Sequence, residues 1–262
     1  MTSLNNSVNF VLQPKGGVGK SFVAAIFAQY VRDRGLELVC YDTDPNNKTL
    51  ASIKSLKAKE IDLMRGTRIG EDLIDPMMSE ILGAPESTVL VDTGASNFLT
   101  TFAYLADNGV IDLLRDAGRP VFIHVPIVGG QDEKDTLEGL AKLAVAFERD
   151  SGVGFVVWEN DLRGLVRVGD FPVHDFLVEK KLLSGIVPIR IGYDGTGAYR
   201  GDTYINDIRR LTESGFTVND LVNNDKYSSG EVIDLMKKHR MVRLYKEWYS
   251  ALEAVNWDSV AG

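Results

Sequence analysis

Cysteine is almost missing from this chain: Cys40 stands alone among 262 residues. An intrachain disulfide is therefore excluded, as is a Cys-x-x-Cys metal site within one chain, and a reducing cytosol fits. Histidine is nearly as scarce, and His124, His174 and His239 show no metal-ligand spacing. No window approaches the roughly 20 apolar residues that a membrane-spanning helix needs. The opening "MTSLNNSVNF" has no basic region followed by an apolar core, so no signal peptide is expected. Positive charge is not in excess either. A net charge of −8 argues against a surface that coats nucleic acid as a whole, and leaves room for a local basic patch. The expectation is a cytoplasmic globular protein, since 44% hydrophobic and 25% charged residues are ordinary for a chain with a sizeable buried core.

Short apolar, β-branched runs alternate with helix-like periodic segments. The strand candidates are "VNFVLQ" (8–13), "LELVCYD" (36–42), "STVLVD" (87–92), "RPVFIHVPI" (119–127) and "GVGFVVWEN" (152–160). Between the first two lies "KSFVAAIFAQYVRDRG", with Gly35 as its C-cap, and "QDEKDTLEGLAKLAVAFERDSG" reads as a second strong helix closed by Gly152. Nearly continuous apolar strands alternating with helices predict an α/β fold, a mainly parallel sheet with helices on both faces. Residues 161–230 are harder to read, and "RIGYDGTGAYRGDTYIND" within them reads as loop with a short strand. The C-terminal part, about 230 to 256, is helical again. No repeat, low-complexity tract or Pro/Gly/Ser-rich linker interrupts the chain, so a single domain over 1–262 is expected.

Between the first strand and its helix stands "QPKGGVGKSF" (13–22). Gly16, Gly17 and Gly19 allow such a loop to turn backbone N–H groups, Val18 among them, inward around an anion. The helix beginning near Lys20 adds its N-terminal dipole. Lys20 would reach the β- and γ-phosphates, the Ser21 hydroxyl would bind Mg²⁺, and Phe22 follows on the helix. The strict pattern G-x-x-x-x-G-K-[ST] fails at its first glycine, where Pro14 stands, and an extra lysine, Lys15, appears five residues before the expected one.

That deviant form, "KGGVGKS", resembles the ParA/MinD superfamily of P-loop ATPases. The resemblance implies that Lys15 reaches across a nucleotide-sandwiched homodimer to the partner's phosphates, as an arginine finger does. ATP and Mg²⁺ are the cofactors it implies. In "YDTDPNNKT" the carboxylates Asp42 and Asp44 lie at the C-terminal end of a strand, where open α/β sheets place ligands. By resemblance Asp44 helps position the attacking water and Asp42 supports the Mg²⁺ shell; Asn46 departs from the glutamine of many relatives. "TVLVDTGAS" reads as a Walker B strand, with Asp92 holding Mg²⁺ and "TGA" forming a second switch. Resemblance also assigns Asn160 to the adenine edge, against the plainer alternative of an Asx-turn at a strand end. "VNFVLQPKGGVGKSFVAAIFAQY", "CYDTDP" and "VPIVGGQDEKDTLEGL" look most like the TraL- and StbB-type ParA-like proteins encoded in transfer or stability regions of conjugative plasmids.

The implied activity is a switch ATPase, slow without its partner, which would be a plasmid-encoded transfer or partition protein. In "KKHRMVRLYKEWYSALEAV" (237–255), Met241, Leu244, Tyr245, Trp248, Leu252 and Val255 form one apolar stripe at helical spacing. The plain reading packs that stripe on the chain's own core. Lys238, Arg240, Arg243 and Lys246 beside it offer nonspecific DNA binding in the dimer, and a membrane surface is the lesser alternative. Two further readings stay open: an ATP-dependent small-molecule ligase related to dethiobiotin synthetase, and a weakly hydrolysing nucleotide-binding scaffold. A paired-cysteine iron–sulfur carrier is disfavoured by the lone Cys40.

Overall fold

The computed structural model describes residues 3–66, 68–84, 86–148 and 152–260. Seven strands form one parallel sheet: β1 (Val8–Val11), β2 (Leu38–Asp42), β3 (Lys59–Glu60), β6 (Thr88–Asp92), β7 (Val121–Val128), β8 (Val153–Asn160) and β9 (Leu183–Ile189). A separate antiparallel pair joins β4 (Met64–Arg65) to β5 (Arg68–Ile69). In the large sheet the order is β3-β2-β6-β1-β7-β8-β9, so the chain runs from β1 out to β2 and β3, returns to insert β6 between β2 and β1, and then crosses to the other side for β7, β8 and β9. Such a reversal opens a crevice beyond the C-terminal ends of the central strands.

The helices are α1 (Lys20–Asp33), α2 (Thr49–Ser52), α3 (Glu71–Gly83), α4 (Phe98–Asp107), α5 (Val110–Asp116), α6 (Glu133–Ala146), α7 (Pro172–Glu179), α8 (Asp202–Ser214), α9 (Val218–Asn223) and α10 (Leu235–Glu253). Strand periodicity sorts the core into two layers. Val121, Ile123, Val125 and Ile127 of β7 join one layer with residues of α3 to α6. Phe122 of β7 and Trp158 of β8 join the other, with residues of α1, α8 and α10.

Two boundary expectations are corrected. The helix beginning near residue 131 ends at Ala146 with buried Phe147 after it, short of Gly152. Residues 161–230, left largely unassigned from sequence, supply α7, β9, α8 and α9, and the end of the stretch read as loop, Asp202 to Asp207, is helical in α8. Strand β9 is hard to see in sequence because Gly185 and Pro188 interrupt it, which an edge strand tolerates. The remainder of "RIGYDGTGAYRGDTYIND", before Asp202, is loop as read, with a bridge between Tyr193 and Tyr199.

The C-terminal helix keeps its apolar face inside. Met241, Leu244, Tyr245, Trp248 and Leu252 are buried, and α10 packs on β9, α8 and α9. The stripe formed by these residues is thus spent on the chain's own core, while Leu235 and Met236 at the start of α10 are exposed. The four basic residues are not gathered into one free cationic face: Arg240 pairs with Asp207 at 2.6 Å, Lys238 with Asp225 at 3.5 Å and Arg243 with Glu247 at 3.5 Å. Lys246 is exposed. Among the described residues no helix is long and apolar enough to cross a membrane.

His124 is fully buried in β7, accepting from Trp158 Nε1 at its Nδ1 (3.0 Å) and lying 3.1 Å from Asn9 Oδ1 through Nε2. Burial lowers its pKa to about 3 from an ordinary 6.5, so it is neutral. The unfolded chain therefore binds a proton at this residue that the folded chain refuses. Stability from this residue is present above pH 6.5 and falls by about 1.4 kcal/mol per pH unit below it, toward pH 3. Urea unfolding of wild type and His124→Gln between pH 7 and pH 5 checks this: the wild type should lose more stability over that interval.

Candidate nucleotide site

Parallel register assembles the site. Asp92 lies directly beside Asp42 on β2 and beside Val11 on β1. The loops leaving β1, β2 and β6 therefore emerge at one edge, above the N-terminus of α1. Alternation along β2 and β6 turns Asp42 and Asp92 to the same face as Cys40 and Leu90, which pack in the layer containing α1.

Residues 13–22 wrap the start of α1. Gly17 and Gly19 take φ of 71° and 94°, left-handed values that a side chain rarely tolerates. Gly16 runs past Ala95, and Val18 is buried in the turn. Pro14 and Gln13 press against Gly139 of α6, and Gln13 Nε2 donates to the carbonyls of Pro126 and Thr136. The departure at Pro14 thus has a packing reason: this end of the loop is fastened to α6.

Lys20 is almost wholly buried, and its Nζ donates to the Lys15 carbonyl at 3.1 Å. Burial lowers its pKa, while the negative charges of Asp92 and Asp44 oppose that shift. Lys15 points elsewhere. Its ammonium sits 2.7 Å from Asp135 and 3.0 Å from Asp132, both at the start of α6, and these bonds raise its pKa.

Asp92 is the anomaly of the site. It is fully buried, and neither carboxylate oxygen accepts a well-formed hydrogen bond, although the Ser21 hydroxyl stands near enough to favour the charged form. Burial pushes its pKa up to about 7; the charges of Asp42 and Asp44 add to the shift, and Ser21 and Lys20 oppose it. A lone buried carboxylate is costly unless a cation completes it. Among the described residues no three His, Cys, Asp or Glu side chains gather closely enough to hold a metal ion. Mg²⁺ suits such a place, because it takes one or two protein oxygens and completes its shell with water and phosphate. Asp92 and the Ser21 hydroxyl fit it.

Asp42 is committed to the backbone: Oδ2 accepts from Ala51 N at 2.9 Å and Oδ1 from Asp44 N at 3.2 Å. Its pKa is raised by burial against those bonds. It orients the loop that carries Asp44. Asp44 Oδ1 accepts from the Asn46 and Asn47 N–H groups, an Asx-turn, and its carboxylate abuts Gly94 of the second switch segment. Thr93 of the second switch, together with Thr43 and Asn97, to which the sequence reading gave no role, stitches these segments together. Thr43 and Thr93 donate to the carbonyls of Asp92 and Val11, and Asn97 Nδ2 donates to the Thr43 carbonyl at 2.7 Å. Asn97 immediately precedes α4, a position where asparagine is common, and that was the one available signal.

A cavity of about 480 Å³ opens beside the loop, lined by Gly17, Gly19, Phe22, Asn160, Ile205 and Ile208 among others. Its size and apolar wall suit a nucleotide base. Asn160 contributes to the wall, but its amide is engaged: Nδ2 donates to the Val18 carbonyl at 3.2 Å and Oδ1 accepts from Leu162 N at 3.1 Å. The plainer Asx-turn is what its side chain makes here. These bonds leave one N–H of Nδ2 and one lone pair of Oδ1 uncommitted.

The family model described as the CobQ/CobB/MinD/ParA nucleotide-binding domain matches residues 10–255. A TraL protein of Escherichia coli is 31% identical over 250 residues, covering 94% of this chain and 97% of its own length. Among solved structures, the MinD cell division protein of Aquifex aeolicus aligns over 90% of this chain and 97% of its own, at 15% identity and a TM-score of 0.47. A plasmid partition protein of Borrelia burgdorferi aligns over 80% and 97%, at 14% identity and a TM-score of 0.42. The chain belongs to the CobQ/CobB/MinD/ParA nucleotide-binding domain family, and within it is kin to the TraL proteins.

Proposed function

We propose that this chain is a switch ATPase that binds Mg-ATP in residues 13–22, dimerises on ATP, and serves conjugative transfer or stability of a plasmid. One observation carries the reading most: a fully buried Asp92, whose oxygens accept no well-formed hydrogen bond, stands among Lys20, Ser21, Asp42 and Asp44 at the mouth of a glycine loop. No packing need explains an acid there, whereas a phosphate-bound cation does. Lys20 and the N–H groups of Gly16 to Ser21 would hold the phosphates, Asp92 and Ser21 would hold Mg²⁺, and Asp44 would orient the attacking water. Mg²⁺ supplies charge neutralisation on the transferring phosphate. The whole chain acts as one ATPase domain in this reading, with α10 as part of its core. Cytoplasmic location and a plasmid-encoded transfer or partition partner belong to the same proposal.

Lys15 is central to the switch. Leaving Asp135 and Asp132 for the phosphates of a second protomer would exchange one set of charge-assisted bonds for another. Light scattering with ADP, ATP and a non-hydrolysable ATP analogue tests this. The analogue should convert monomer to dimer in the wild type and fail to do so in Lys15→Ala, while ADP leaves both monomeric. One unchanging mass in every nucleotide state, for both proteins, would refute the switch. ATP turnover that appears only with an added small carboxylate or amine substrate would favour the ligase reading instead.

A further inference from the structure

Arg163 belongs to none of the motifs described above, yet it touches the glycine loop. Its Nη2 donates to the Gly17 carbonyl at 2.9 Å, and its Nη1 is bonded to Asp132. Asp132 has only 7% of its side chain exposed and is shared with Lys15. A carboxylate so enclosed needs cationic partners, and it fixes the orientation of those it has.

The support beneath Arg163 is rigid. Residues Asp161–Arg163 form a short 3-10 turn immediately after β8. Buried Asp161 anchors that turn by accepting from the N–H groups of Ile191, Gly192 and Tyr193. The next residue, Gly164, meets Gly129 backbone to backbone: a Cβ on Gly129 would fall 2.4 Å from the Gly164 carbonyl oxygen. The segments after β7 and β8 thus interlock and bring Asp132 and Arg163 together.

What is held so firmly is a half-exposed guanidinium, with 40% of the side chain accessible, on the wall of the 480 Å³ cavity. The same wall carries Gly17 and Gly19 of the phosphate-loop segment and the apolar Leu162, Ile205 and Ile208, and Arg163 touches the loop at Gly17. The bonds to Asp132 and Gly17 leave further donors of its five-donor fork for a ligand.

We infer that Arg163, oriented by Asp132, is a nucleotide-positioning residue that contacts the sugar and α-phosphate side of the bound nucleotide. This rests on the nucleotide reading above. ADP and ATP share that part of the molecule, so both should depend on Arg163 equally.

Equilibrium titration with fluorescent N-methylanthraniloyl ADP and ATP in the presence of Mg²⁺ tests it, on wild type, Arg163→Ala, Arg163→Lys and Asp132→Asn. Removing a charge-assisted bond should weaken both nucleotides about tenfold in Arg163→Ala. Arg163→Lys keeps the charge without the fork and should fall between Arg163→Ala and wild type, as should Asp132→Asn. Melting temperatures of the nucleotide-free proteins identify any variant that is merely unfolded; Arg163→Lys then carries the test. Wild-type affinity for both nucleotides in folded Arg163→Ala would overturn the inference, as would a loss confined to ATP, which would place the guanidinium at the γ-phosphate. A wild type that binds neither nucleotide would instead sink the ATPase reading itself.

Discussion

Replacing Asp92 with asparagine is expected to stabilise the nucleotide-free protein while removing Mg²⁺-dependent ATP turnover. The carboxylate is fully buried and accepts no well-formed hydrogen bond, so its ionised form is the costly one. Its folded pKa of about 7 lies above the ordinary 3.8, and the folded state retains a proton that the unfolded chain releases. Stability associated with this group is full below pH 3.8. It declines by about 1.4 kcal/mol per pH unit as the pH rises toward 7, and levels off above that. Asparagine has the same shape and no such slope. Urea midpoints for wild type and Asp92→Asn should therefore diverge between pH 5 and pH 8, with the variant ahead at pH 8. His124 contributes an opposite slope, but equally to both proteins, and cancels in the comparison. Mg-ADP should abolish the divergence, because a cation beside the carboxylate favours its ionised form. Single-turnover hydrolysis in the variant should drop on the order of 100-fold or more. Parallel pH slopes in the two nucleotide-free proteins would contradict the account.

Such a site trades stability for chemistry. In the proposed function the residue that weakens the empty protein near neutral pH is also the one that would hold the cation, and ligand binding would return what the empty fold gives up. Lys15 shows the complementary arrangement. Its ammonium is satisfied within its own chain, by Asp135 and Asp132, so a solitary protomer presents no free lysine at this position. Asp132 would keep Arg163 as a partner after Lys15 had gone, which lowers the cost of its departure.

Much of the fold could be read along the chain, and the reason is local. Strands β1, β6, β7 and β8 are buried on both faces, so nearly every residue in them is apolar and the runs are unmistakable. Strand β9 escaped because its edge position admits Ser184, Gly185 and Pro188, which break the run. The glycine loop and the aspartates at strand ends were legible because their spacing is fixed by one strand–turn–helix unit. Asp132 and Arg163 were not, since 31 residues separate them and they meet through the pairing of β7 with β8 and the close approach of Gly129 to Gly164. Asn160 shows the opposite limit. Its position beside the cavity was foreseeable, but the direction of its amide depends on Val18 and Leu162, which no spacing rule specifies.

Gly94→Ala should separate nucleotide binding from hydrolysis. A Cβ at this position would lie 2.7 Å from Asp44 Cγ and 2.8 Å from its Oδ1, closer than any real contact. The backbone on either side cannot yield easily. Thr93 is tied to the Val11 carbonyl, and Asn97 holds the Thr43 carbonyl just before Asp44. The carboxylate must therefore swing away and lose its bonds from Asn46 and Asn47. Lys20, Ser21 and the glycine loop are untouched, so affinity for ATP should stay within about threefold of wild type, since none of the phosphate-binding bonds is removed. A displacement of about 1 Å in a water-positioning group costs on the order of 100-fold in rate, and single-turnover hydrolysis should fall by that much. Asp44→Ala should do the same, and the double variant should be no slower than either single one, because both act through one carboxylate. Additive losses would mean that Gly94 has a separate task, and unimpaired turnover in Gly94→Ala would remove Asp44 from the reaction.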